Sequence, residues 1–228
     1  MRYLRMFSVA LATTCALGIV IAATAVALPT ILPATINAVT GKSIGEVKLE
    51  RQGGLAAIGC KSASGEGTVE PNGHLGLYHI TFEDCTAAGG ECTGLGDSAG
   101  NILSLGSWHL VYYTLRATLG EAGVATLFLV DNIHFVCNTI IGEVLQRVLL
   151  GGMVMCSEQE ANALTKTTET HCKEGASDHP ALSKYYNEAG TLVSISPLES
   201  SENEGTATEA AQIGSNLVST TEAALMML

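Results

Sequence analysis

The sequence predicts an all-β protein: a disulfide-stabilised antiparallel β-sandwich or barrel in a single domain, with little helix apart from an N-terminal signal peptide. Three observations carry this. Short alternating segments rich in β-branched and aromatic residues recur between Gly, Asn, Asp and Pro punctuation, six cysteines follow the apolar N-terminal stretch, and no long helical period competes with the alternation.

Arg2 and Arg5 precede an apolar run from Met6 to about Ala23, and Ala25-Val26-Ala27 offers a small-x-small cleavage site, so residues 1–27 read as a secretory signal peptide. Cleavage there would also remove Cys15. Residues 28–40 hold two prolines among small residues and suit an extended lead-in; residues 41–228 then form the single β-domain.

Strands are expected at LGLYHITF (75–82), SWHLVYYTLRATL (107–119), VATLFLV (124–130), NIHFVC (132–137) and TLVSISPL (191–198). In the first, Tyr78, Ile80 and Phe82 share an apolar face opposite Leu77, His79, Thr81 and Glu83, the pattern of a half-buried strand. Gly120-Glu121-Ala122-Gly123 has the length and composition of a hairpin loop. Val144, Leu145, Val148 and Leu149 are spaced as in a helix but are read as strand, whereas Ser157–Thr168 opens like a capped helix and is read as loop or short helix. The acidic segment 199–209, ESSENEGTATE, is read as a solvated loop, and the apolar 216–228 as a last strand returning to the sheet.

The full chain carries 11 Lys+Arg against 22 Asp+Glu, a net charge of −11. Without Arg2 and Arg5 the balance is 9 − 22 = −13. Binding nucleic acid or anionic lipid depends on cations that displace counterions, so neither is expected as a partner. After signal cleavage no second long apolar run is left, and no membrane association is expected.

Cys60, Cys85, Cys92, Cys137, Cys156 and Cys172 make an even set, the usual arithmetic of disulfides in an exported protein. No C-x-x-C occurs, and His134 with Cys137 or His171 with Cys172 would point to opposite faces of a strand, so no metal site and no cofactor is expected. The six residues between Cys85 and Cys92, TAAGGE, suggest that these two close a small loop on each other. Cys60 with Cys137 and Cys156 with Cys172 would complete one of the fifteen possible sets.

Candidates for chemistry are few. Gly96-Asp97-Ser98-Ala99-Gly100 fits G-x-S-x-G and is similar to the GDSGG stretch around the nucleophile of trypsin-like proteases. A nucleophile elbow needs a strand before the serine and a helix after it; here a Gly-rich loop precedes Ser98 and the strand-like NILSL follows, so Ser98 is taken as a loop residue and no catalytic residue is assigned. Glu83-Asp84 are neighbours on opposite strand faces, and Glu158-x-Glu160 lies in a polar stretch expected to be solvated. Trp108 and Tyr112 share a face of their strand. They are weak candidates for an exposed sugar-binding row, with core packing preferred because aromatic rings bury large apolar areas.

With those residues in view, the chain resembles a family of uncharacterised exported proteins of soil actinobacteria. The matching features are LPT-ILPAT after the signal, the Cys60-led block KSASGEGTVEPNGHLGLYHITFEDC, Cys92-Thr93, and Phe135-Val136-Cys137. The likeness implies an exported, Cys-stabilised β-domain and carries no activity with it. The stretch IIGEVLQRVLLGGMVMC departs from the family pattern. Together these readings point to a secreted or cell-wall-associated, non-enzymatic binding or structural module with a protein or polysaccharide partner; a secreted serine hydrolase using Ser98 is the alternative.

Overall fold

Sixteen strands and no helix account for the regular structure among the described residues of the computed structural model, which are 27–227 apart from 52–56, 115–122, 139–143, 150, 159–163, 174–182, 197, 204 and 207. Residues 1–26 of the expected signal peptide, among them Cys15, and 120–122 of the expected 120–123 loop lie outside them, and Gly123 opens a strand. In chain order the strands are β1 (Thr30–Leu32), β2 (Ala38–Ser43), β3 (Val47–Arg51), β4 (Ile58–Thr68), β5 (Leu75–Ala87), β6 (Gly90–Gly94), β7 (Ile102–Thr114) and β8 (Gly123–Val130). They continue with β9 (Ile133–Asn138), β10 (Val144–Leu149), β11 (Gly152–Glu158), β12 (Leu164–Lys173), β13 (Lys184–Tyr186), β14 (Leu192–Ser194), β15 (Leu198–Glu202) and β16 (Thr208–Met227).

The pairing is antiparallel throughout and closes on itself. From β7 the ladder runs through β8, β11, β12, β16, β2, β4 and β5 and back to β7, an eight-stranded barrel. Closure leaves this ring without the unpaired edge that an open sheet would expose. A second circuit uses other stretches of β4, β5 and β16: it runs β16, β3, β4, β5, β6, β9, β10, β15 and back to β16. The expected barrel is therefore present in a single domain, and β4, β5 and β16 run through both circuits.

Where the circuits meet, the strand faces change phase. Inward residues of β5 are Tyr78, Ile80 and Phe82, then Cys85 and Ala87; opposite them β4 turns in Cys60 and then Ala63. Asp84 sits at the switch with φ 51°, a local irregularity of the kind that re-aims side chains without ending a strand. The faces expected of 75–82 are those observed: Tyr78 is buried, Ile80 and Phe82 pack partly against the core, and Leu77 is exposed.

Three disulfides tie neighbouring strands, each at a directly facing pair: Cys60–Cys85, Cys92–Cys137 and Cys156–Cys172. Their Cα separations of 4.0, 3.9 and 4.1 Å are those of close facing pairs, and the Cys85 N–H is turned away to the Gly100 carbonyl. The expected Cys85–Cys92 clasp and Cys60–Cys137 bond are therefore corrected, while Cys156–Cys172 is as expected. The physical reason lies in the hairpin between β5 and β6. Ala88 and Gly89, with φ 50° and 78°, form a two-residue turn with both φ positive, and the backbone ladder Ala87↔Gly90, Thr86↔Glu91 closes it. The loop needs no covalent closure, so each cysteine bonds across its other edge.

Two further expectations change. Among the described residues of 157–168, Ser157–Glu158 ends β11 and Leu164–Thr168 opens β12, so both are strand; 159–163 lies outside the described residues. The acidic 199–209 is not simply a loop: Glu199–Glu202 belongs to β15, paired to β10 and β16, and Thr208 begins β16. The expected strand at 144–149 and the returning C-terminal strand are both present.

Candidate functional site

The interior of the eight-stranded barrel holds a cavity of about 130 Å³. Its apolar wall comes from alternate residues of the long strands: Tyr78 and Ile80 from β5, Trp108 and Leu110 from β7, Phe128 from β8 and Val218 from β16. Eight strands give a bore just wide enough for side chains or one small ligand, so small residues on the inner face decide which. Ala63, Gly65 and Gly67 of β4 line this cavity, and a Cβ on Gly67 would come within 3.0 Å of Val39 and 3.5 Å of the Trp108 ring nitrogen.

Trp108 and Tyr112 are each 4% exposed, so they form no surface platform. They pack with Ile36, Val69, Tyr78, Leu110 and Val124 in the barrel core, as preferred from the sequence. The Trp108 indole N–H donates to the Thr68 carbonyl at 3.0 Å, which fixes the ring against the wall. Gly76 makes that possible, because a side chain there would overlap the Thr68 carbonyl oxygen. Tyr78 meets Phe128 edge to face at 5.2 Å, and burial pushes its phenol up to about 12 against the opposing hydrogen bond with Ser104.

One acid reaches into this apolar space. Glu158, at the end of β11, is 8% exposed and lines the cavity, which corrects its expected place on a solvated face. Thr126 Oγ donates to one carboxyl oxygen at 2.5 Å and Thr168 Oγ to the other at 3.5 Å. Burial raises the carboxyl to about 7 from 4.5, and the two hydroxyls pull it back only in part. Beside it, Thr170 is 2% exposed, lines the same cavity at the position facing Glu158, and its hydroxyl oxygen has no hydrogen-bond partner. The lining runs out to the exposed Lys42 and Lys166.

The signal for Glu158 was legible. Once Gly152–Glu158 is a strand with the disulfide-bonded Cys156 inside, Glu158 two residues on falls on the same face. The capping-box pattern that opens at Ser157 masks that face. Glu160 lies outside the described residues.

The other candidates are dispersed. Ser98 is exposed at a turn closed by the Asn101 N–H on the Ser98 carbonyl, and Asp97 is engaged by the Leu103 N–H at 2.8 Å. His171 Nδ1 lies 2.7 Å from the hydroxyl of Ser215, its facing residue on β16. On its other side Glu169 stands 3.8 Å from Nε2, beyond hydrogen-bond reach, so the three do not form a connected relay. Cys137, three residues beyond His134, and Cys172, adjacent to His171, are both in disulfides and offer no thiolate. Glu83 accepts from Ser62, and Asp84 pairs with Lys61 on the surface. An outer groove across β2, β4, β5 and β16 is lined by Thr40, Ser64, Glu66, His79 and Thr81 and by no Trp, Tyr or Phe.

No protein-family model matches the chain, and neither any curated protein nor any solved structure is significantly similar to it.

Proposed function

We propose that the protein is an exported, non-enzymatic binding module that holds a small, largely apolar molecule inside its barrel. The observation that carries this reading is the cavity itself: apolar, about 130 Å³, walled by a closed hydrogen-bonded barrel and furnished with one buried carboxyl. Ligand sites combine this kind of apolar wall with a few placed polar groups, and a cavity of roughly 150 Å³ lined by apolar side chains is known to admit benzene.

The three disulfides support a place outside the reducing cytoplasm, either secreted or associated with the cell wall, in keeping with the family resemblance of the Cys-led block. Such bonds persist where thiols are not kept reduced. The net charge of −11 favours neither nucleic acid nor anionic lipid as a partner.

Methyl NMR during titration with toluene tests the reading. Shifts concentrated on Ile80, Leu110 and Val218 are expected; shifts that fall elsewhere, or none up to the solubility of toluene, would remove its basis.

A further inference from the structure

We propose, building on the reading of the cavity as a ligand site, that its ligand is a small amine: a compact apolar body against Trp108 and Phe128, with one amino group set between Glu158 and Thr170. Three observations converge on that chemistry.

The first is acceptor geometry. Both Glu158 carboxyl oxygens already receive threonine hydroxyls, an arrangement that suits the ionised carboxylate, and the neighbouring Thr170 oxygen has no partner. A buried hydroxyl left unpaired costs about 1–3 kcal/mol, which a ligand donor would recover. An ammonium offers three N–H donors in a tight cluster and can serve carboxylate and hydroxyl together.

The second is charge. Lys42, Lys166 and Glu66 are the other charged side chains lining the cavity, and all three are exposed. Thr126 of β8 and Thr168 and Thr170 of β12 are neutral, so the elements closest to the carboxyl supply hydroxyls and no buried cation. A ligand cation would provide the missing counter-charge, whereas an anionic ligand would meet the carboxylate with repulsion. The third is the wall: Trp108, Tyr78 and Phe128 all line the space and suit the compact apolar body that carries the amino group.

Trp108 is the only tryptophan and stands in the cavity wall, so its fluorescence reports occupancy directly. The experiment titrates the purified protein with benzylamine, benzyl alcohol and toluene at about pH 8, where benzylamine is cationic, and repeats this with Glu158→Gln and Thr170→Val. Benzylamine is expected to bind at least about tenfold more tightly than toluene, a difference of about 1.4 kcal/mol. Glu158→Gln should abolish that preference, with an intact β-sheet circular dichroism spectrum showing that the variant is folded. Thr170→Val should weaken benzylamine relative to toluene. If toluene or benzyl alcohol binds as well as benzylamine, or if Glu158→Gln keeps the preference, the amine assignment is wrong although the cavity still binds. If none of the three binds to protein with an intact β-sheet circular dichroism spectrum, the cavity reading falls with it.

Discussion

Glu158→Gln should turn a pH-dependent protein into one less dependent on pH. In the folded chain burial holds the carboxyl proton up to about pH 7, against 4.5 for an unperturbed glutamate. Below pH 4.5 both folded and unfolded states are protonated, and the buried neutral acid contributes its full stability. Between pH 4.5 and 7 the unfolded chain has lost its proton while the folded one keeps it, so stability falls as pH rises. At about 1.4 kcal/mol per pH unit the loss over that window is about 3 kcal/mol. Glutamine has nearly the same shape, keeps an acceptor for Thr126 and does not titrate, so this component disappears. Urea unfolding followed by Trp108 fluorescence from about pH 4 to pH 8 measures both proteins. The difference between them is the informative curve, because His109, whose pKa is lowered by burial and then by His74 against the pull of Glu188, tilts stability the other way in both. The variant should gain about 3 kcal/mol on the wild type between pH 4.5 and 8. A flat difference would show that Glu158 is solvated in the folded protein and would overturn its placement in the cavity.

Non-reducing peptide mapping should recover Cys60 with Cys85, Cys92 with Cys137 and Cys156 with Cys172; a Cys85–Cys92 peptide would contradict the strand register. The double variant Cys92→Ser/Cys137→Ser opens a link between residues 45 apart and should lose about 4 kcal/mol in denaturant unfolding, on the chain-entropy estimate. Gly76→Ala places a Cβ into the Thr68 carbonyl that also receives the Trp108 N–H, and should cost about 3 kcal/mol with a shift in Trp108 emission; a change under about 0.5 kcal/mol would refute that packing. Ser98→Ala, at an exposed turn, should change stability by less than about 0.5 kcal/mol, and fluorophosphonate labelling that vanished in this variant would bring the hydrolase reading forward.

Much of the fold was legible because alternation is a local signal. Tyr78, Ile80 and Phe82 mark their own inward face, and β8 and β9 begin and end within a residue of where composition places them; β5 runs on to Ala87, and β7 begins five residues early at Ile102, with 115–119 of its expected span outside the described residues. The site was less legible. Glu158 looks like one acid among many until Cys156 is known to face inward, and Thr170 looks like one threonine in a polar run until its partner strand places it opposite Glu158. What makes either residue chemically unusual is its burial, and burial is a property of the closed barrel.

The sequence by itself determined the β-class, the acidic balance and the inward faces of the central strands, since composition and period act over a few residues. Only the tertiary structure decided which cysteines bond, because that depends on which strands of a closed ladder become neighbours. Cys85 stands seven residues from Cys92 yet bonds Cys60, 25 residues away. The same closure put one carboxyl in an apolar cavity and left Ser98 at a turn on the surface. A closed barrel brings distant residues within bonding range and buries their side chains, and neither effect is written in any single stretch of the chain.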